Sequence, residues 1–289
     1  MESVQKSRHL DRGMNTEYVI VTSTYSGVAK YYNKVRPLLD VFWPGHPPAI
    51  VLSDANNLKV SDVIVKSGTH WLDILLNGLL SLRRTRPEIT YVFLLLDDHY
   101  PLRECDRSQI AANFDAVVKN RLGCVSFVTY QWPWTTTEHV DYPDGMIRTW
   151  RNIDVTSLNG CKLAKVPMNF FRYFQLQPSF WDLDYLIMIC REAFEQRCFD
   201  PWSFESLSYN KRRQHYVSSY AWPCVHHGFL MRGRVNPEAI NFIQMPQGRE
   251  FRSFLLRQSI GLDSLTAFRV LQFLKWLRGG ILRRLRIAH

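Results

Sequence analysis

The sequence lacks the long apolar run that a membrane-spanning helix requires. No stretch reaches the roughly 18 uninterrupted apolar residues that mark such a helix. Residues 1–16 are polar and contain no apolar core of the kind found in secretory signals. We therefore expect a cytoplasmic protein that does not cross a membrane.

Closely spaced cysteines are also lacking. The six cysteines lie far apart and form no C-x-x-C pair, so neither a zinc knuckle nor a redox motif is expected. We predict reduced thiols at all six positions, which are Cys105, Cys124, Cys161, Cys190, Cys198 and Cys224.

Acidic residues are scarce at the C-terminal end. From Arg249 onward nine basic residues accompany two acidic ones, a balance of +7 in a chain whose net charge is +10. This charge calls for an anionic partner such as nucleic acid, anionic lipid or a phosphorylated small molecule. Its confinement to one end argues against a nucleic-acid groove spread over the fold, so no nucleic acid is expected.

Strand and helix patterns alternate through the first half of the chain. An apolar, β-branched run at Tyr18–Thr22 is followed by a helical pattern at 28–42 and by a second strand pattern at Pro48–Asp54. A leucine-rich helical pattern at Trp71–Arg84 then leads into the apolar run Thr90–Leu96. This alternation predicts an α/β fold with a mostly parallel sheet flanked by helices.

The second half is less regular. We predict a helix at 106–120, a strand at 123–129, an irregular loop at 131–158 and a helix at 180–194. The aromatic content of 13% fits either a carbohydrate-facing cleft or a large core, with core favoured for any single ring.

Acidic residues follow two of the predicted strands. Asp54 ends one strand, and Asp97-Asp98-His99 follows the near-continuous apolar run Leu94-Leu-Leu96. The carboxyl ends of parallel strands are where open α/β sheets bind ligands. Asp is also common in turns and caps, so a structural role has about even weight for the pair alone.

Taken in order, the motifs resemble glycosyltransferases of the GT-A fold, and in particular bacterial polysaccharide-type enzymes. The matching pieces span residues 17 to 235 and are Thr22-Ser-Thr-Tyr-Ser26, Asp54, Trp71 with its leucine helix, Leu94 to Pro101, Leu176 to Trp181, and Pro201 to Glu205. The resemblance implies a GT-A-like catalytic domain at 17–240, between a flexible tail at 1–16 and a basic segment at 241–289. It also implies a hexosyltransferase type of enzyme active in polysaccharide biosynthesis.

The resemblance implies a nucleotide-sugar site on the first strand. It places Thr22, Thr24 and Tyr25 near base and ribose and Asp54 on the base edge, although ordinary strand-end roles are nearly as likely for the threonines. Many such enzymes carry Asp-x-Asp at the Asp97 position to hold Mn²⁺ or Mg²⁺ against the diphosphate. Here Asp97 and His99 would be the ligands. The alternative is a metal-independent site with cations from Lys165, Arg232 or Arg234.

The resemblance also indicates which residues would carry the chemistry. Glu205 is the candidate base for an inverting transfer, beside Asp98 as a second catalytic acid, and the alternative for Glu205 is a helix-terminal acid. Trp181 and Trp202 would form the acceptor platform, with core packing as probable for each. His226 or His227 would complete a metal shell.

The C-terminal apolar positions recur at three and four residues from Leu265 to Leu285, with basic residues between them. A basic amphipathic helix of this kind lies in a membrane interface, so we expect peripheral binding to the inner face of the cell membrane. A helix docked on the core is the alternative.

The sequence and the resemblance together predict a transferase that moves a sugar from a nucleotide diphosphate-sugar to a hydroxyl of a glycan or lipid-linked glycan. Two other classes remain open at this point. One is a metal-dependent phosphohydrolase or nucleotidyltransferase that uses Asp97 and Asp98. The other is a non-enzymatic, basic module that binds membranes or nucleic acid.

Removal of residues 263–289 tests the membrane prediction. We expect the shortened chain to lose binding to anionic vesicles in a sedimentation assay, because apolar insertion and about 1 kcal/mol of attraction per basic residue are lost together. High salt should weaken binding of the full chain without abolishing it. Equal vesicle binding by both forms, or loss of cooperative melting in the short form, would contradict the prediction.

Overall fold

The computed structural model describes residues 18–55, 58, 64–65, 68, 70–130, 140–141, 147–149, 155–170, 173–206, 213–225, 228–231 and 234–258. The predicted polar tail, the amphipathic segment from Asp263 onward, the candidate metal ligands His226 and His227, and the candidate cation Arg232 lie outside these residues.

The strands begin mostly where apolar and β-branched residues cluster. In chain order they are β1 (Tyr18–Thr24), β2 (Ala49–Ser53), β3 (Ile64–Val65), β4 (Tyr91–Leu94), β5 (Cys124–Tyr130), β6 (Val140–Asp141), β7 (Ile147–Thr149), β8 (Val155–Leu158), β9 (Cys161–Lys165), β10 (Ser179–Asp182), β11 (His215–Val225), β12 (Leu230–Met231) and β13 (Arg234–Val235).

The helices begin at polar caps or follow tight turns. They are α1 (Ala29–Phe42), α2 (Trp71–Thr85), α3 (Arg107–Lys119), α4 (Leu183–Glu195), α5 (Pro201–Ser206), α6 (Pro237–Phe242) and α7 (Arg249–Gln258). Asp106 caps α3 by accepting from the amides of Ser108 and Gln109, and Asp182 caps α4 by accepting from the amide of Tyr185. Among the helices of the described residues, none has the length and apolar character needed to cross a bilayer.

The main sheet of the described residues has nine strands in the order β3-β2-β1-β4-β10-β5-β11-β9-β8. The strands β3, β2, β1 and β4 run parallel, and β5 runs parallel to β11. Between these two groups β10 is antiparallel to both neighbours. The predicted α/β fold, with a mixed sheet in which most strands run one way, is therefore confirmed.

Two predictions for the second half were wrong. The predicted helix at 180–194 begins only at Leu183, because Ser179–Asp182 forms the central strand β10. The predicted loop at 131–158 contains the short strands β6, β7 and β8. An apolar run that passes without a break from a buried strand into a buried helix carries no periodicity that separates the two.

Apolar residues fill both faces of the sheet. One face carries an aromatic cluster in which Phe93 lies 4.9 Å from Phe180 and 5.2 Å from Trp222 between ring centroids. The other face packs against α2 and α4 through buried leucines such as Leu75 and Leu186. All six cysteines are buried and free of disulfides, as predicted.

The last described helix belongs to this packed fold. On α7, Phe251 and Leu255 are buried, and the Phe251 ring centroid lies 5.3 Å from that of Phe229. Phe254 contacts Tyr31 of α1 with ring centroids 5.6 Å apart. α7 thus packs against residues of α1 and of the segment after β11, and the domain boundary at residue 240 stays a prediction.

Candidate active site

Three parallel strands end side by side at one edge of the sheet. Thr24 of β1 is paired with Ser53 of β2, and Val21 of β1 with Leu94 of β4. The amide of Leu95 still donates to the carbonyl of Val21 at 2.9 Å, so the chain after β4 stays beside β1. The acids that follow these strands therefore lie along one edge, which we call the carboxyl edge.

Asp97 is held by the end of β1. The hydroxyl of Thr24 donates to Asp97 Oδ2 at 2.6 Å. Burial and, after it, the negative charge of Asp98 together raise the pKa of Asp97 to about 7, against the opposing effect of the Thr24 bond. The side chain is thus poised between its neutral and charged forms near neutral pH.

His99 binds Asp98. The two side chains are joined at 2.7 Å between His99 Nδ1 and Asp98 Oδ1, and a carboxylate oxygen requires the ring nitrogen to be the donor. The histidine is only 5% exposed, and its Nε2 is buried without a hydrogen-bond partner in the described structure. Burial lowers the pKa of His99, but the charge and hydrogen bond of Asp98 outweigh it, and the net shift is upward.

Strand β11 and the chain after it fix the backbone of both residues. The amide of Phe229 donates to the carbonyl of Asp98 at 2.8 Å, and Trp222 Nε1 donates to the carbonyl of His99 at 2.8 Å. Gly228 has a φ of +70° and lies against Asp98, where a Cβ would overlap the Asp98 backbone. Only glycine fits this close approach in that conformation.

Asp54 braces the turn that follows β1. Its Oδ1 accepts from the amide of Ser26 at 2.8 Å, and its Oδ2 accepts from the hydroxyl of Ser26 at 3.2 Å. Tyr25 lies in this turn with half of its surface exposed, and burial and the charges of Asp97 and Asp98 raise its pKa. An exposed ring thus stands beside the acidic pair, where a base could stack. The roles of Asp54 and Tyr25 in donor binding stay predictions.

Thr22 does not point to this site. It is buried, and its hydroxyl shares a hydrogen bond of 2.9 Å with Tyr100, which in turn donates to Tyr32 at 3.2 Å. The prediction that Thr22 contacts the donor is therefore wrong, because its hydroxyl is already committed inside the core. Thr24, two residues further on, reaches the edge through Asp97 and keeps its candidacy.

Glu205 approaches the same edge from α5. Its Oε1 accepts from the amide of Leu176 at 2.8 Å. Leu176 precedes β10 by three residues, and the first residue of β10, Ser179, is paired with Leu94, which precedes Asp97 by three residues. Leu176 and Asp97 thus lie a similar number of residues beyond the paired strands. The negative charge of Glu205 is close enough to raise the pKa of His99.

The two predicted acceptor tryptophans have opposite environments. Trp181 is fully buried, its Nε1 donates to Ser179 Oγ at 2.7 Å, and its ring stacks on Tyr185. A ring with no exposed face cannot support a sugar, so the prediction for Trp181 is wrong. Trp202 is 60% exposed on α5, one helical turn before Glu205, and its role stays a prediction.

The candidate cations also differ in position. Lys165 of β9 is paired with Tyr216 near the start of β11, whereas the carboxyl edge lies at the other end of that strand. The register across β11, β5 and β10 brings Lys165 level with Phe93 of β4, four strands away, which is about 19 Å at about 4.8 Å per strand. Lys165 is therefore not placed to balance a phosphate there. Arg234 is exposed on the β12–β13 hairpin that follows Gly228, so its candidacy stands.

The described residues do not complete a metal site. No group of three potential His, Cys, Asp or Glu ligands comes together within them. His99 uses its Nδ1 for Asp98, and its Nε2 has no hydrogen-bond partner in the described structure, so the predicted pairing of His99 with Asp97 around a cation stays a prediction. Asp97 and Asp98 are the carboxylates that could hold one.

Several contacts at this site were not anticipated from sequence. Ser26, Leu176 and Gly228 bind or abut the predicted acids through their backbones. Contacts made through backbone groups do not depend on residue type, so the sequence does not indicate them. Gly228 is the exception, because a glycine can indicate a close backbone approach.

No protein-family model matches the sequence, and no curated protein matches it. Among solved structures, the chain is similar to TarS of S. aureus, with 13% identity and a TM-score of 0.39 over 71% of this chain and 36% of that chain. A TarS chain of residues 1–349 gives 12% identity and a TM-score of 0.38 over 71% and 59% of the two chains.

A third similar structure is a 4-diphosphocytidyl-2C-methyl-D-erythritol synthase, with 9% identity and a TM-score of 0.36 over 69% of this chain and 95% of that chain. This chain spans about a third of the length of the longer TarS structure.

Asp97→Asn tests the electrostatic state of the acidic pair. The native carboxyl keeps its proton up to about pH 7, whereas an unfolded one loses it near the ordinary pKa of 3.8, so ionisation destabilises the fold progressively across that window. Asparagine removes this cost and can still accept from Thr24. We expect calorimetry with a chelator present to show a higher Tm than wild type at pH 8 and a smaller gain at pH 4.5.

Asp115→Asn is the matched control, because Asp115 is an exposed acid paired with Lys119 on α3. This variant should show no comparable pH-dependent gain. If Asp97→Asn changes Tm equally at both pH values, Asp97 does not carry the raised pKa described here.

Proposed function

We propose that this chain is a glycosyltransferase that moves a sugar from a nucleotide diphosphate-sugar to a hydroxyl of a glycan or lipid-linked glycan. One observation carries the proposal: the Ser26–Asp54 turn, the Thr24–Asp97 bond and the Asp98–His99 pair lie along one carboxyl edge, which Glu205 approaches from α5. This arrangement supplies hydrogen-bonding groups for a nucleoside, acids for a diphosphate site and a separate acid that can accept a proton.

The chemistry requires the acids to have different tasks. In an inverting transfer the acceptor oxygen bonds to the anomeric carbon as the bond from that carbon to the diphosphate oxygen breaks. The acceptor proton passes to Glu205, which is held apart from the acidic pair on α5. Asp97 and Asp98 bind and orient the donor at the strand end.

Two carboxylates beside a diphosphate repel it unless charge is neutralised. The proton on Asp97, which its raised pKa retains up to about pH 7, removes one negative charge without any other group. Arg234 on the adjacent hairpin offers a positive one. A divalent cation bound by Asp97 and Asp98 would supply further neutralisation. The proposed transfer is compatible with either a metal-dependent or a metal-independent site.

A thermal-shift panel tests the proposal directly. The full chain is melted with UDP-, GDP-, CMP-, ADP- and dTDP-sugars, each with Mn²⁺, with Mg²⁺ and with a chelator. A donor present at 100 times its Kd should stabilise the fold by about 2.7 kcal/mol through mass action. Positive donors are then assayed for transfer to glycan acceptors by mass spectrometry. Absence of any donor-specific shift would refute the proposal.

The same panel separates the competing functions. Donor hydrolysis at an undiminished rate without acceptor favours a phosphohydrolase. Release of diphosphate when a nucleoside triphosphate transfers its nucleotide to a sugar phosphate favours a nucleotidyltransferase. Binding to nucleic acid that weakens steeply with salt, in the absence of donor binding, favours the non-enzymatic module.

Asp97→Ala and Asp98→Ala should each abolish transfer while the fold persists. The loss should reach about two orders of magnitude or more, since about 1.4 kcal/mol corresponds to tenfold in rate. Asp184→Ala is the control, because Asp184 forms an exposed ion pair with Arg83 on the helical face of the sheet. Near-normal turnover in either folded variant would remove that residue from the catalytic machinery.

Glu205 is tested by two substitutions. Glutamine keeps an oxygen that can accept from the Leu176 amide but cannot take a proton, whereas alanine leaves that amide without its partner. We expect Glu205→Gln to melt near wild type, to bind donor and to lose transfer. Glu205→Ala should lose transfer and also about 1–3 kcal/mol of stability. If Glu205→Gln transfers normally, Glu205 is a structural acid.

A further inference from the structure

We propose that His99 is a positioning residue that fixes the carboxylate of Asp98 for donor binding through its Nδ1 hydrogen bond. This inference rests on the proposed function and assigns His99 a role different from that of a metal ligand. It starts from the buried contact of 2.7 Å between His99 Nδ1 and Asp98 Oδ1.

Asp98 needs such a partner because of its neighbour. Asp97 follows the same strand one residue earlier, and in its ionised form it repels the charge of Asp98. The backbone of Asp98 is fixed by Phe229, but its side chain still has two rotatable bonds. The bond from His99 holds one carboxylate oxygen and thereby sets the direction of the other.

His99 is well placed to act as a rigid support. Its amide donates to the carbonyl of Leu96 at 3.0 Å, and its carbonyl accepts from Trp222 at 2.8 Å. The ring is almost wholly buried, so it cannot swing into solvent. Fixed at both backbone groups and enclosed at the ring, the donor nitrogen holds a constant position relative to the sheet.

Each acid of the pair then has its own support. Thr24 donates to one oxygen of Asp97 from β1, and His99 donates to one oxygen of Asp98. These two bonds leave the Oδ1 of Asp97 and the Oδ2 of Asp98 unengaged by either donor. Holding the two carboxylates in set directions lowers the entropy lost when a donor binds between them.

The decisive comparison is between two amides at position 99. Asparagine carries its NH₂ at the place of Nδ1, so it can donate to Asp98, whereas glutamine carries its NH₂ near the place of Nε2. Both are neutral and polar, and both put an amide into a buried site. Retained function in His99→Asn and lost function in His99→Gln would therefore isolate the Nδ1 bond.

We expect His99→Asn to keep kcat within about threefold of wild type, and His99→Gln to lose about tenfold to a hundredfold in kcat/KM for donor, as for other residues that orient ligands indirectly. Melting temperatures of the two variants should agree within a few degrees. Equal activity in the two variants, when both are folded, would overturn the proposal.

The chain supplies a matched control in a second histidine–aspartate pair. His46 Nε2 lies 2.9 Å from Asp40 Oδ1 near the end of α1, at the opposite edge of the sheet from the acidic pair. His46→Gln should leave kcat and KM unchanged. A loss equal to that of His99→Gln would show that removing any such pair weakens the enzyme through the fold.

A measurement on the native ring covers the case in which the position 99 variants do not fold. In ¹⁵N NMR of the full chain, His99 should show a protonated Nδ1 with a downfield proton, and Asp98→Ala should remove that signature. Persistence of the signal in Asp98→Ala would overturn the inference.

The proposed function and the role of His99 fail in different ways. If no nucleotide sugar supports transfer by the wild type, the proposed function fails and the positioning role falls with it. If the wild type transfers sugar but the asparagine and glutamine variants behave alike, only the role of His99 is refuted.

Discussion

The arrangement of the site depends on one electrostatic constraint, which is that two adjacent carboxylates leave bulk water at the end of β4. Partial burial and mutual repulsion both disfavour their ionised forms, and the raised pKa of Asp97 records this cost. Hydrogen bonds from Thr24 to Asp97 and from His99 to Asp98 offset this cost, and the amide of Phe229 fixes the backbone carbonyl of Asp98. Strands distant in sequence must therefore come together before the pair can be accommodated.

Many of the aromatic residues of the chain form a core cluster next to this site. Trp43, Phe93, Phe127, Phe180 and Trp222 contact one another across one face of the sheet. Trp222 joins this cluster to the site, because its ring packs on Phe93 while its Nε1 binds the carbonyl of His99. Of the two interpretations that composition allowed, a large core explains these rings, and Trp202 and Tyr25 are the large exposed ones near the acids.

The sequence predicted the parts that depend on local pattern. The apolar run at Tyr18 and the leucine spacing after Trp71 have unambiguous periods, and β1 and α2 begin at those residues. Trp181 and Thr22 were misplaced because their partners Tyr185 and Tyr100 become visible only when the layers pack. The hydrogen bond from the amide of Leu176 to Glu205 joins residues 29 positions apart and uses a backbone donor, so no residue type in the sequence could indicate it. Lys165 was excluded only by the register of β9 against β11.

The reversed direction of β10 has a consequence for how such a fold can diversify. A strand parallel to its neighbours receives its chain from the far edge of the sheet, but β10 begins beside the end of β4, so the segment leading into it enters from the carboxyl edge. Substitutions or insertions ahead of Ser179 would therefore reshape the surface at the carboxyl edge while the register of the sheet stays intact. The surface beside the acids can in this way diverge independently of the strand ends that hold them.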